Sequence, residues 1–148
     1  MGSTLTNLIY HVIFSTKNRD KLLTHELHEE LYRYIAGIIK QEGGFLLEIG
    51  GMSDHIHIVL KLKPVHALAD IMRKAKGGSS KWINKEKKLR YKFAWQDGYG
   101  AFSVSESQLQ AVIQYVQGQE QHHAKVSFQD EFVQFLERHQ IEFDERYI

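Results

Sequence analysis

The stretch Phe45 to Leu62, FLLEIGGMSDHIHIVLKL, decides the fold. Two aliphatic runs, Phe45–Ile49 and His55–Leu62, flank Gly50, Gly51 and Met52, a spacing that predicts two antiparallel strands joined by a short turn. Pro64 ends the second run because it lacks an N–H. Upstream, Asn7 to Ser15 reads as a buried strand that stops at the polar STKNRDK. Thr24 opens a helix in which Leu27, Leu31, Tyr34, Ile35 and Ile38 recur at three-to-four residue spacing, and Gly43 with Gly44 stops it. Downstream, a second helix from about His66 carries Leu68, Ile71, Met72 and Ala75 on one side. Gly77 and Gly78 weaken its middle, although Ser79 to Asn84 can continue it. Ala101 to Val104 reads as a fourth strand. Ser105 and Gln108 make a capping-box signature for a third helix over about Glu106 to Lys125, and a last helix covers about Asp130 to His139. The sum is βαββαβ: an α+β, ferredoxin-like antiparallel sheet with helices on one face and extra C-terminal helices, in one domain over residues 1–148.

The 148 residues include one proline and no cysteine, which excludes disulfide frameworks, thiolate metal sites and cysteine nucleophiles. Residues 8–14 are the most apolar N-terminal stretch, but His11 interrupts them, no basic residue precedes them and no small-residue cleavage site follows. No apolar run reaches the ~18 residues of a membrane span, so a cytoplasmic protein with no membrane partner is expected. The net charge of +1 conceals an asymmetry: residues 61–92 hold eleven Lys or Arg against Asp70 and Glu86, while the rest of the chain is acidic. Such a block is either a phosphate-binding surface or a solvated helix face.

Two local patterns carry chemistry. His55 and His57 are separated by one residue, so on a strand both imidazoles point to one face and can reach one metal ion. The motif is short, and a hydrogen-bonded structural pair is the equal reading. In Tyr115-Val116-Gln117-Gly118-Gln119, Tyr115 and Gln119 lie four residues apart and share a helix face. A tyrosine there is ordinarily a core aromatic. Gly118 is costly inside a helix unless something approaches the backbone, and His122 and His123 one turn on either extend the site or form an exposed pair near the helix end.

With HIH at 55–57 preceded by Asp54, YVQGQ at 115–119, YHVIFSTKNRDKLL at 10–23 and WQDGYGAFSVS at 95–105, nearly the whole chain resembles the single-tyrosine HUH transposases. These move insertion sequences as single-stranded DNA, and they include relatives associated with repetitive extragenic palindromes. The resemblance implies that His55, His57 and Gln119 hold a divalent Mg²⁺ or Mn²⁺ ion and that Tyr115 is the nucleophile forming a 5′-phosphotyrosine. It also implies a homodimer that recognises single-stranded DNA carrying hairpins, nucleoid-associated through that DNA. The basic block then supplies phosphate contacts from Arg73, Lys74, Lys76, Lys81, Lys85, Lys87, Lys88 and Arg90, followed by Lys92. Trp82 either stacks on an unpaired base or packs with Ile83 and Met72 in the core. Two other readings stay open: a domesticated, non-mobile hairpin-binding protein of the same fold, and a metal hydrolase using water, for which Tyr115 is dispensable.

Overall fold

The computed structural model describes residues 2–87 and 89–148, so Lys88, one of the expected phosphate contacts, lies outside the described residues. Four strands, β1 (Leu8–Ser15), β2 (Phe45–Gly51), β3 (His55–Leu62) and β4 (Gly100–Val104), form one sheet in the order β2-β3-β1-β4 with every pair antiparallel. This is the expected ferredoxin-like order. The central pair runs in register from Leu8 opposite Leu62 to Ser15 opposite His55. Both central strands are buried on two faces, which is why their sequences are nearly continuous apolar runs instead of alternating ones.

On one face lie α1 (His25–Gln41) and α2 (Leu68–Trp82). Thr24 caps α1 by accepting the Leu27 N–H at 3.3 Å, and Leu27, Leu31, Ile35 and Ile39 form its buried stripe. These residues close the main core over Val12, Phe14, Ile56, Ile58 and Leu60. The helix α2 starts at Leu68 instead of near His66, because the His66 ring is occupied elsewhere. Its Nδ1 accepts the Lys63 N–H at 3.0 Å, and its Nε2 donates to the Glu42 carbonyl at 2.7 Å. Helical structure runs through Gly77 and Gly78 and continues as a wider π turn over Ile83–Lys87. Trp82 is half-buried and stacks on Tyr34 with ring centroids 4.9 Å apart, the packing reading of its two alternatives.

The C-terminal helices cover the opposite face of the sheet. The expected single third helix is divided into α3 (Leu109–Gln117) and α4 (Gln119–His123), and α5 spans Phe128–Arg138. Gly118 makes the break: at φ −92° and ψ 18° its N–H reaches back to the carbonyls of Gln114 and Tyr115 at 3.0 and 3.2 Å. The expected capping box does not form. The Ser105 hydroxyl pairs with Ser107 at 3.1 Å, and a 3₁₀ turn over Glu106–Gln108 precedes α3. Ser127 caps α5 by accepting the Asp130 N–H. Two glycines let these helices lie close. A Cβ at Gly50 would fall 2.5 Å from the Val116 carbonyl oxygen of α3, and one at Gly100 would fall 2.5 Å from the Phe132 ring of α5. Among the described residues, no helix is long and apolar enough to cross a membrane.

Candidate active site

Strand parity assigns the site to the face that α3, α4 and α5 cover. On β1 the residues Ile9, His11, Ile13 and Ser15 share it, and on β3 so do His55, His57 and Val59. His55 and His57 are fully buried and His11 is 2% exposed. Three imidazole rings on one buried face need defined partners, and each has one.

His55 is fixed from below. Its Nδ1 lies 2.7 Å from the Asp54 carboxylate, which can only accept, so Nδ1 carries the proton. Asp54 is itself held by the loop after β1, where its carbonyl accepts the Thr16 N–H at 2.8 Å. Burial would raise the Asp54 carboxyl, but the hydrogen bond from His55, together with the electrostatic pull of His55 and His123 and a backbone hydrogen bond, outweighs it and holds the group below its ordinary value. In the neutral ring that proton leaves the lone pair on Nε2, and that atom faces Gln119 Oε1 at 3.0 Å and Glu131 Oε1 at 3.6 Å. An acceptor ringed by acceptors is the arrangement a cation satisfies.

His57 pairs through Nδ1 with His11 Nε2 at 2.8 Å and through Nε2 with Glu131 Oε1 at 2.9 Å. Burial holds both rings neutral, lowering His57 to about 4 and His11 to about 3. Neutral imidazole is the form that ligates metal.

Tyr115, on the last turn of α3, lies against the same point. Its hydroxyl donates to Glu131 Oε2 and sits 3.1 Å from His122 Nε2, and its ring centroid is 5.9 Å from that of His57. Burial, and then the adjacent Glu131 carboxylate, push the phenol well above its ordinary range, so the resting state is the protonated hydroxyl. Gln119, 1% exposed at the start of α4, spans the gap: Oε1 meets His55, and Nε2 donates to Glu131 Oε2 at 3.2 Å.

All four residues expected to carry the chemistry thus converge within one chain. Two more, Glu131 and His11, were not anticipated. Glu131 of α5 is 1% exposed and touches His57, Tyr115 and Gln119. His11 backs His57. His122 and His123 are not the exposed pair that their place near a helix end suggested: His123 Nε2 lies 3.1 Å and His122 Nε2 3.3 Å from Glu131. The readable signal was Glu131 itself, a charge set into the apolar stripe Phe128, Phe132, Phe135 and Leu136. Beside Gln119, a cleft of about 690 Å³ opens between α1, β2 and the α3–α4 junction, lined by His28, Tyr32, Glu48, Gly50 and Gln117.

The family described as Transposase IS200 like matches residues 4–119, which spans all of β1 to the start of α4 and includes His55, His57, Tyr115 and Gln119. The chain belongs to the IS200-like transposase family. The ISDra2 transposase TnpA of Deinococcus radiodurans is similar to it, 27% identical over 117 residues that cover 76% of this chain and 84% of that one. Among solved structures, a transposase candidate from Deinococcus radiodurans R1 superposes with a TM-score of 0.65 at 27% identity, covering 80% of this chain and 95% of that one. A REP-associated tyrosine transposase bound to a REP hairpin shares the fold at a TM-score of 0.64 and 13% identity, over 85% of this chain and 76% of that one.

The basic block of this IS200-like chain divides into two groups. Lys76 is turned inward, donating to the Gln96 carbonyl at 2.8 Å and to that of Gly98, with its ammonium over the Phe14 and Tyr99 rings. Lys74 pairs with Glu42 and Lys87 with Glu30, and Lys87 also lies over Trp82. Arg73, Lys81, Lys85, Arg90 and Lys92 are exposed. The segment carrying the last four leads to Trp95, which bridges Thr16 just past the end of the central strand β1, beside Asp54.

Proposed function

We propose that this IS200-like chain is a DNA-cleaving enzyme that cuts and rejoins single-stranded DNA through a covalent Tyr115 intermediate, acting as one domain on strands that carry hairpins. The observation that carries the reading is the Glu131 carboxylate: one anionic group touches both the Tyr115 hydroxyl and His57 Nε2. A scissile phosphate is an anion with the same need, a nucleophile on one oxygen's side and positive charge on the other.

His55, His57 and Gln119 are the residues that would hold a divalent Mg²⁺ or Mn²⁺ ion; all three are neutral ligands, and the ion would supply Lewis-acid charge to a phosphate oxygen. The rest is the work of the chain's own groups. Tyr115 attacks phosphorus, the bond from phosphorus to the 3′ oxygen breaks, and the phenol's proton is balanced by the one the 3′-hydroxyl gains on leaving. The 5′-phosphotyrosine keeps the bond energy, so a second 3′-hydroxyl can reverse the step and join strands. Asp54 keeps the His55 ring in the tautomer that leaves Nε2 free. The Gly118 break turns Gln119 toward His55 while Tyr115 remains on α3. The cleft beside Gln119 has room for flanking nucleotides, and Lys81, Lys85, Arg90 and Lys92, with Arg73 beside Asp70 at 3.8 Å, are the exposed cations of the block that can meet a hairpin backbone. Activity on chromosomal DNA implies a cytoplasmic site of action, and a homodimer is the expected assembly.

The test is cleavage of end-labelled single strands from the DNA flanking the gene, with Mn²⁺ or Mg²⁺ against EDTA, beside His55→Ala. Metal-dependent cleavage of single strands alone, lost in His55→Ala while hairpin binding persists, supports the enzyme. Hairpin binding without cleavage in any metal leaves the binding-protein reading.

A further inference from the structure

Two residues beyond the family match, His123 and Glu131, stand where ligands stand. His123 is built like His55. Its Nδ1 is 2.5 Å from the Val126 carbonyl, an acceptor, so in the neutral ring Nδ1 carries the proton and Nε2 is left with a lone pair. That Nε2 is buried and has no hydrogen-bond partner; it lies 3.1 Å from Glu131 Oε1, out of line for a hydrogen bond. Three imidazole nitrogens therefore surround one carboxylate oxygen: Nε2 of His57 at 2.9 Å, of His123 at 3.1 Å and of His55 at 3.6 Å. Ligand atoms about 2.1 Å from a shared ion are separated from their neighbours by roughly 3.0–3.4 Å. The four donor atoms lie within 4.8 Å of one another. Among the described residues, no lysine or arginine forms an ion pair with Glu131, whose carboxylate, at 1% exposure, accepts from His57 Nε2 and the Tyr115 hydroxyl and faces the Nε2 atoms of His55 and His123. A buried carboxylate in that setting is paired with a cation, which an imidazolium or a bound metal ion can supply.

We propose that His123 and Glu131 are direct ligands of the ion held by His55 and His57, making a three-histidine, one-carboxylate site in which Gln119 is a further oxygen donor. The inference rests on the cation site of the proposed function and adds two consequences to it. Nitrogen-rich ligation favours a first-row transition ion over Mg²⁺, which takes oxygen ligands and sheds water reluctantly. Glu131 also bridges the ion and the nucleophile, since its second oxygen accepts the Tyr115 hydroxyl. The site is thus completed by α4 and α5 of the same chain.

The test is Co²⁺ and Mg²⁺ binding to the full chain without DNA, followed by calorimetry and by the visible absorption of bound Co²⁺. Co²⁺ is expected to bind at least about 100-fold more tightly than Mg²⁺. Glu131→Gln and His123→Gln are each expected to weaken Co²⁺ binding by at least about 100-fold, the upper end of what losing a mere outer-shell partner costs. Circular dichroism melts check that each variant folds. Electron spin-echo spectroscopy of the Mn²⁺-loaded wild-type chain needs no variant, and three coupled imidazoles are expected. Two coupled imidazoles, or both variants binding Co²⁺ within about threefold of wild type while His55→Ala does not bind, would overturn the proposal. Tyr115→Phe separates the two readings. It should keep Co²⁺ affinity, so wild-type protein that binds Co²⁺ as described yet cleaves nothing contradicts the enzyme and leaves the ligand set standing.

Discussion

Replacing Gly50 by alanine tests how the nucleophile is positioned. The new Cβ would sit 2.5 Å from the Val116 carbonyl oxygen and 3.1 Å from Val116 Cγ1, where ordinary contact begins at 3.4 Å. Gly50 is paired with His57 in the sheet, so β2 cannot yield without breaking that pairing, and α3 must retreat by roughly 1 Å. Overpacking of this kind costs about 1–3 kcal/mol, and in a chain of this size each kcal/mol is worth about 4 °C. Tm is therefore expected to fall by roughly 4–12 °C. Val116 follows Tyr115 directly, so the hydroxyl moves with the helix, and a misplacement of about 1 Å costs on the order of 100-fold in cleavage rate. Gly118→Ala is the control: its Cβ meets nothing closer than 3.4 Å and its φ is negative, so Tm should stay within about 2 °C. Calorimetry and single-strand cleavage rates, each on purified protein, read both effects. A Gly50→Ala protein that melts and cleaves like wild type would refute the claim that the β2–α3 contact places Tyr115.

In EDTA, acid should destabilise the fold well above the carboxylate range. His11 and His57 sit at about 3 and about 4 in the folded chain against about 6.5 unfolded. The unfolded chain therefore binds protons that the native chain refuses, and stability should drop by several kcal/mol as pH falls from about 6.5 to about 4. His123, whose value is raised, acts in the opposite sense, and mainly above that window. Urea midpoints read this, and a midpoint that holds or rises on acidification contradicts it. His11→Leu should weaken Mn²⁺ binding by about 10–100-fold because His57 loses the partner of its Nδ1, while His11→Gln, which can still accept there, should recover most of it; equal binding by the leucine variant would mean that His11 only packs. Changing Lys81, Lys85 and Arg90 together to alanine should reduce the salt slope of hairpin binding by about two to three with little change in Tm. Lys76→Ala should do the reverse, lowering Tm through the lost Gln96 and Gly98 contacts and sparing the slope.

What was legible in the sequence was local. The bounds of β3, the Thr24 cap and the order of strands follow from apolar runs, a hydroxyl and glycine pairs, each acting over a few residues. The pairing of Tyr115 with Gln119 was readable because four residues are one helical turn. The path of the chain at Gly118 was not, because whether a helix runs through a glycine depends on what the next turn packs against. Here His123 and Gln119 have the buried site to turn toward. Glu131 lies 74 residues from His57, and their contact exists only because α5 crosses the second face of the sheet. Strand parity put His11 on the His57 face as soon as the β1–β3 register was known, and register is a property of the folded pair. Lys76 read as a surface cation, yet the carbonyls of the 96–98 loop receive it.

The measurement that bears most directly on the enzyme is the mass of the Tyr115 peptide after the chain has reacted with a single strand from its own flanking DNA and a divalent transition ion. A phosphonucleotide on Tyr115, present with single strands, absent with duplex or EDTA and absent from Tyr115→Phe, is the expected result. Strand cleavage that proceeds with no adduct on Tyr115, or that survives in Tyr115→Phe, would contradict the tyrosine nucleophile and return the site to water.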